Sequence, residues 1–162
     1  MKSILLIGCL FPLFLAAQDC KVLSETDPFT KETKLSSGFI GLQGGASVTI
    51  EADKTELDYF FIINDRCFND QSTVLIYFEG SKQKFTYRNT GSQNCTGYFH
   101  YKFKNAATTQ LQAQKLGTMK ISQLVFTDTD KKQVTITLTP EQQEQFMKSA
   151  ACVTEEAKKL IK

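Results

Sequence analysis

Residues 18–162 predict a mainly β, or α+β, fold: one antiparallel β-rich domain of seven or eight strands, a sandwich or strongly curved sheet packed by a C-terminal helix. Three observations predict it. Short runs alternate with period two, as in Val48-Thr49-Ile50-Glu51-Ala52, the signature of a half-buried strand. Polar turn clusters separate the runs at intervals too short for crossover helices, so neighbours pair antiparallel. One capped, amphipathic segment, about residues 140–160, closes the chain as a helix.

The elements follow in order. Met1-Lys2 is positive, Ile4 to Leu15 is almost unbroken apolar, and Ala16-Ala17 supplies small residues for cleavage. Residues 1–17 therefore read as a signal peptide cleaved near Ala17, too short for a stable membrane span. The mature chain is expected to be secreted or periplasmic, with no transmembrane segment. Leu6-Ile7-Gly8-Cys9 is set aside as a lipidation box because the apolar run continues past Cys9.

Residues 18–36 are polar and read as irregular, with Asp27-Pro28-Phe29-Thr30 forming a type I turn. Phe29 is expected to anchor that turn in the core. Phe39–Gln43 and Ser47–Ala52 flank Gly44-Gly45, a two-residue hairpin signal. Residues 57–63 are apolar on both faces and read as a central strand. Strands at 74–78, 84–88 and 98–104 follow, then a short helix within 108–116. Lys120–Thr127 and Gln133–Leu138 form the last hairpin. Thr139 is an N-cap and Pro140 a first helical residue. Phe146, Ala150, Val153, Ala157 and Leu160 make the apolar stripe. Thr154-Glu155-Glu156 leaves open a break and restart near Cys152.

With Cys9 removed, Cys20, Cys67, Cys95 and Cys152 remain, and four cysteines in an exported chain read as two disulfides. Three connectivities are possible; the favoured one is Cys67–Cys95, in loops flanking one run of strands, with Cys20–Cys152, tying the N-terminal segment to the terminal helix. No pair has C-x-x-C spacing and His100 is the only histidine, which argues against zinc and redox chemistry. No cofactor or metal is implied.

Asp27-Pro28-Phe29-Thr30, shortly after Cys20, resembles a motif of small exported proteins of Bacteroidota-type bacteria, in which an early Cys precedes a D-x-F-T segment. The last hairpin, Ser122 to Leu138, and the Cys152-bearing helix follow a similar layout. The resemblance implies export and a shared fold. It carries no activity and no functional residue.

The net charge of +2 falls by one when Lys2 is lost, so neither a nucleic-acid field nor an acidic tail is present. Local clustering is the stronger signal. Lys82, Lys84 and Arg88 share one side of a strand, and His100, Lys102 and Lys104 share one side of another. If these two strands pair, they form a basic face suited to an anionic polysaccharide or a lipid surface, although charge on a solvated strand face is also ordinary. The leading expectation is a non-enzymatic binding module of unknown ligand. The alternative is a lipocalin-like carrier of a small apolar ligand, using rings such as Phe61, Phe85 and Tyr101. No G-x-S-x-G elbow or other nucleophile–base pattern is present. A hydrolytic enzyme stands third, through acids that would converge only in the fold. Asp65, Asn69 and Asp70, and Asp128 with Asp130, read as turn chemistry rather than a calcium loop.

Overall fold

A computed structural model describes residues 20–161. The expected leader, 1–17, lies outside the described residues.

Two antiparallel sheets face each other. The first runs in the order β1 (Leu23–Thr26), β2 (Thr33–Ser36), β4 (Ser47–Ala52), β5 (Glu56–Ile62), β8 (Tyr98–Lys104), with β3 (Ile40–Gly41) also pairing with β4. The second runs β10 (Gln133–Thr137), β9 (Ile121–Thr127), β6 (Thr73–Phe78), β7 (Lys84–Arg88). A short helix α1 (Leu111–Leu116) and the terminal helix α2 (Pro140–Lys158) complete the domain.

Among the described residues there are ten strands where seven or eight were expected. The difference arises mainly in 18–36, read as irregular, where β1 and β2 form a hairpin around the Asp27 turn. Every side chain of β1 is exposed and β2 buries only Leu35, so no alternation of apolar and polar residues announces it. A turn forms there, closed by Lys31 N–H donating to Asp27 O, with Asp27 Oδ1 accepting from the backbone N–H groups of Phe29 and Thr30. Phe29 does not anchor it. The ring is 91 % exposed, because it projects from a hairpin tip with no core beneath. Gly44 and Gly45 both adopt positive φ, but in a three-residue loop closed by Leu42 N–H donating to Ala46 O, not in a two-residue turn.

Alternation decides which side chains are buried. On β5, Leu57, Tyr59 and Phe61 point inward, while Glu56, Asp58, Phe60 and Ile62 point out. Phe99, Tyr101 and Phe103 do the same on β8. The sheets meet through Phe126 of β9, whose ring lies 5.3 Å from Phe61 and 5.1 Å from Phe99. Helix α2 lies against β2, β3, β4 and β9, inserting Phe146 beside Tyr59 and Phe61. It runs unbroken past Cys152. Thr139 Oγ1 accepts from Gln142 N–H and Gln142 Oε1 accepts from Thr139 N–H, a capping box that fixes the helix start.

The disulfides pair as expected, Cys67–Cys95 and Cys20–Cys152, the chemistry of an oxidising compartment. The first ties the β5–β6 loop to the segment preceding β8. There Phe68 and Asn94 exchange backbone hydrogen bonds, and Gly97 O accepts from Ile63 N–H. Gly97 has φ +80°, and a Cβ there would stand 2.0 Å from Ile63 O. Only glycine lets the chain pass this close, and the passage sets where β8 begins.

Candidate functional site

The expected basic face divides in the fold. β7 and β8 share no ladder: β7 pairs with β6, and β8 pairs with β5 in the opposite sheet. They are the facing edges of two sheets, joined where Thr90 N–H donates to His100 O and His100 N–H donates to Asn89 Oδ1. Lys84 and Arg88 therefore sit on the edge of the four-stranded sheet, with Lys82 in the turn before it. His100, Lys102 and Lys104 lie on the outer face of the six-stranded sheet.

On that outer face, Lys102 Nζ is bonded to Glu56 Oε1 and lies 3.5 Å from Asp58 Oδ2, while His100 Nδ1 lies 3.2 Å from the same Asp58 oxygen. The Glu56 bond holds the Lys102 ammonium above its ordinary range, with partial desolvation opposing and Asp58 assisting. Sequence reading missed these acids. Glu56 and Asp58 belong to β5, and only the register Glu56↔Lys104 and Asp58↔Lys102 sets them against the β8 cations. Lys34, Glu51 and Asp53 join them around a shallow depression of about 150 Å³. Burial raises the Asp53 carboxyl, but hydrogen bonds from Thr55 and Glu56 outweigh it, and the net shift is downward. Every carboxylate with a resolved shift moves down, away from what a general acid requires.

Beside this charged row, the same face carries rings. Phe60 lies 5.3 Å from Tyr98 and 4.9 Å from His100, centroid to centroid. Tyr98 is 42 % exposed. Thr49, the cross-strand partner of Phe60, is buried with no partner for its hydroxyl. Phe39 and Leu23 are exposed at 73 % and 65 %. Leu23 pairs with Ser36, which pairs with Glu51, so it shares this outer face. A signal for Tyr98 existed: it has the parity of His100 and Lys102 along β8. Gly91 packs on the imidazole, where a Cβ would stand 2.7 Å from His100 Cδ2.

The ring set proposed for a carrier lies inside. Phe61 and Tyr101 are fully buried and pack on each other, and Phe85, partly buried, packs on Phe78. The acidic loops serve the protein itself. Asp128 accepts from Arg66 and from the N–H groups of Asp130 and Lys132, while Asn69 Oδ1 accepts from the N–H groups of Gln71 and Ser72.

Comparison with protein-family models, with curated proteins and with solved structures finds no match.

Proposed function

We propose that this is an exported, non-enzymatic binding module whose outer six-stranded face takes a polysaccharide. Export rests on the apolar leader with its small-residue cleavage site, and the two disulfides agree with it.

The observation that carries the ligand class is the Phe60–Tyr98–His100 ring cluster lying beside the Glu56–Lys102–Asp58 row. A sugar ring has an apolar face edged by hydroxyls. Exposed aromatic surface suits the face, and fixed carboxylate and ammonium groups suit the hydroxyls. The acids balance Lys102 and His100, so the cluster favours a neutral, hydroxyl-rich chain over a strongly anionic one. Lys82, Lys84, Arg88 and Lys104 make no ion pair among the described residues and would tolerate acidic sugars at the margin.

The test is electrophoresis of the mature protein through native gels cast with xylan or with alginate. Xylan should retard the protein, and Tyr98→Ala should weaken that retardation about tenfold, the factor that ~1.4 kcal/mol represents. Retardation by alginate alone, abolished by salt and by Lys84→Glu, would move the site to β7 and overturn this placement. Absence of retardation by either polymer would overturn the ligand class.

A further inference from the structure

Beneath α2 the interior holds an unusual concentration of hydroxyls without partners. Tyr87, Tyr101, Tyr59 and Phe146 form a column of near-parallel rings, with successive centroids 4.4, 5.0 and 6.1 Å apart. The hydroxyls of all three tyrosines are buried and make no hydrogen bond, and so are those of Thr109 and Thr154. Buried polar groups are rarely left unpaired, so each of these hydroxyls calls for a partner that the protein itself does not supply.

Two of these residues, Thr109 and Thr154, line a cavity. It lies between α1 and α2, measures about 140 Å³, and is lined also by Ala113, Gly117 and Ala151. Small residues create it: a Cβ on Gly117 would stand 3.0 Å from Ala151 Cα, so the helices touch there and leave space alongside. Thr154 is only 6 % exposed and lines this cavity. The Tyr59 hydroxyl lies against Thr154 without the geometry of a made bond. At the rim, Lys158 and Glu155 satisfy each other at 2.7 Å.

We infer that the α1–α2 cavity is a binding site for a small uncharged molecule bearing a hydroxyl or carbonyl group, separate from the outer sheet face. The lining hydroxyls of Thr109 and Thr154 can each donate and accept, and neither is committed elsewhere. The charges nearest the opening neutralise one another, which leaves nothing to compensate an ion entering the interior. The volume is close to that of a cavity of roughly 150 Å³ known to hold benzene, so the guest is about one ring in size. Burial keeps the Tyr59 phenol protonated, which preserves a donor beside Thr154.

The experiment is an amide chemical-shift titration of the isotope-labelled mature protein with phenol, and with toluene as the ring lacking a hydroxyl. Phenol should give saturable shifts at Thr109, Ala113, Gly117, Ala151 and Thr154, with toluene at least about fivefold weaker. Thr154→Val should weaken phenol about fivefold and leave toluene unchanged. Thr109→Val gives the same readout from a less buried position should Thr154→Val fail to fold. Shifts that never saturate, toluene binding as tightly as phenol, or phenol affinity unchanged in the folded variant would each overturn the inference. Xylan retardation of Thr154→Val should match the parent, so the two sites fail or stand independently.

Discussion

Tyr101→Phe removes one oxygen from the middle of the ring column and should stabilise the protein. Tyr101 is 2 % exposed, and its hydroxyl has no hydrogen-bond partner. Phenylalanine keeps what holds the ring: stacking on Tyr87 at 4.4 Å and on Tyr59 at 5.0 Å, and the edge contact with Phe103 at 5.9 Å. The change therefore deletes a desolvated, unbonded group and almost no packing. An unsatisfied buried hydroxyl costs about 1–3 kcal/mol. Subtracting the contacts the oxygen itself makes, the expected gain is about 1 kcal/mol, or roughly 3–5 °C in melting temperature for a domain of this size. Urea denaturation with an unchanged m-value measures it. A loss of about 1 kcal/mol or more would refute the reasoning, since only a hydroxyl already bonded in the folded state can be missed that much.

Three further outcomes are expected. Burial raises the hydroxyls of Tyr59, Tyr87 and Tyr101, so the folded protein holds protons that the unfolded chain releases near pH ~10. Stability should be intact below that pH and fall above it, by up to about 1.4 kcal/mol per tyrosine per pH unit, and denaturant midpoints that stay flat to pH ~11 would contradict this. Cys20→Ser/Cys152→Ser opens a crosslink spanning 132 residues and Cys67→Ser/Cys95→Ser one spanning 28, so in the chain-entropy model the first should cost about 5 and the second about 3.5 kcal/mol by denaturant unfolding. Gly97→Ala should cost about 3 kcal/mol and shift the Tyr98 resonances, because the new Cβ meets Ile63 O at the start of β8 in a conformation alanine resists; a loss under about 1 kcal/mol would show that the loop yields.

Where alternation was strong the sequence sufficed. The limits of β7 and β8, the capped start of α2 and both disulfide pairs agree with the reading from residues alone. Parity along a strand and a threonine before a proline are local chemistry; the disulfide pairing was the favoured one of three connectivities, and the fold decides it by bringing Cys20 to Cys152 across 132 residues. The β1–β2 hairpin escaped because β1 is exposed along its whole length and β2 buries only Leu35, so no periodic pattern announces it.

The candidate sites were legible only in part, for a different reason. Parity along β8 correctly placed His100, Lys102 and Lys104 on one side, but it could not say which strands flank them. The sheet order answers that: β5 lies beside β8 and sets Glu56 and Asp58 against Lys102, while β7, with Lys84 and Arg88, belongs to the other sheet. The hydroxyl cluster is more distant still from sequence, since Tyr59, Tyr87, Tyr101 and Thr154 come from three strands and a helix. Each looks like ordinary core alone. Secondary structure and its faces follow from interactions a few residues apart, which the chain itself specifies. Partnership between faces depends on long-range packing, and only the tertiary structure decided that.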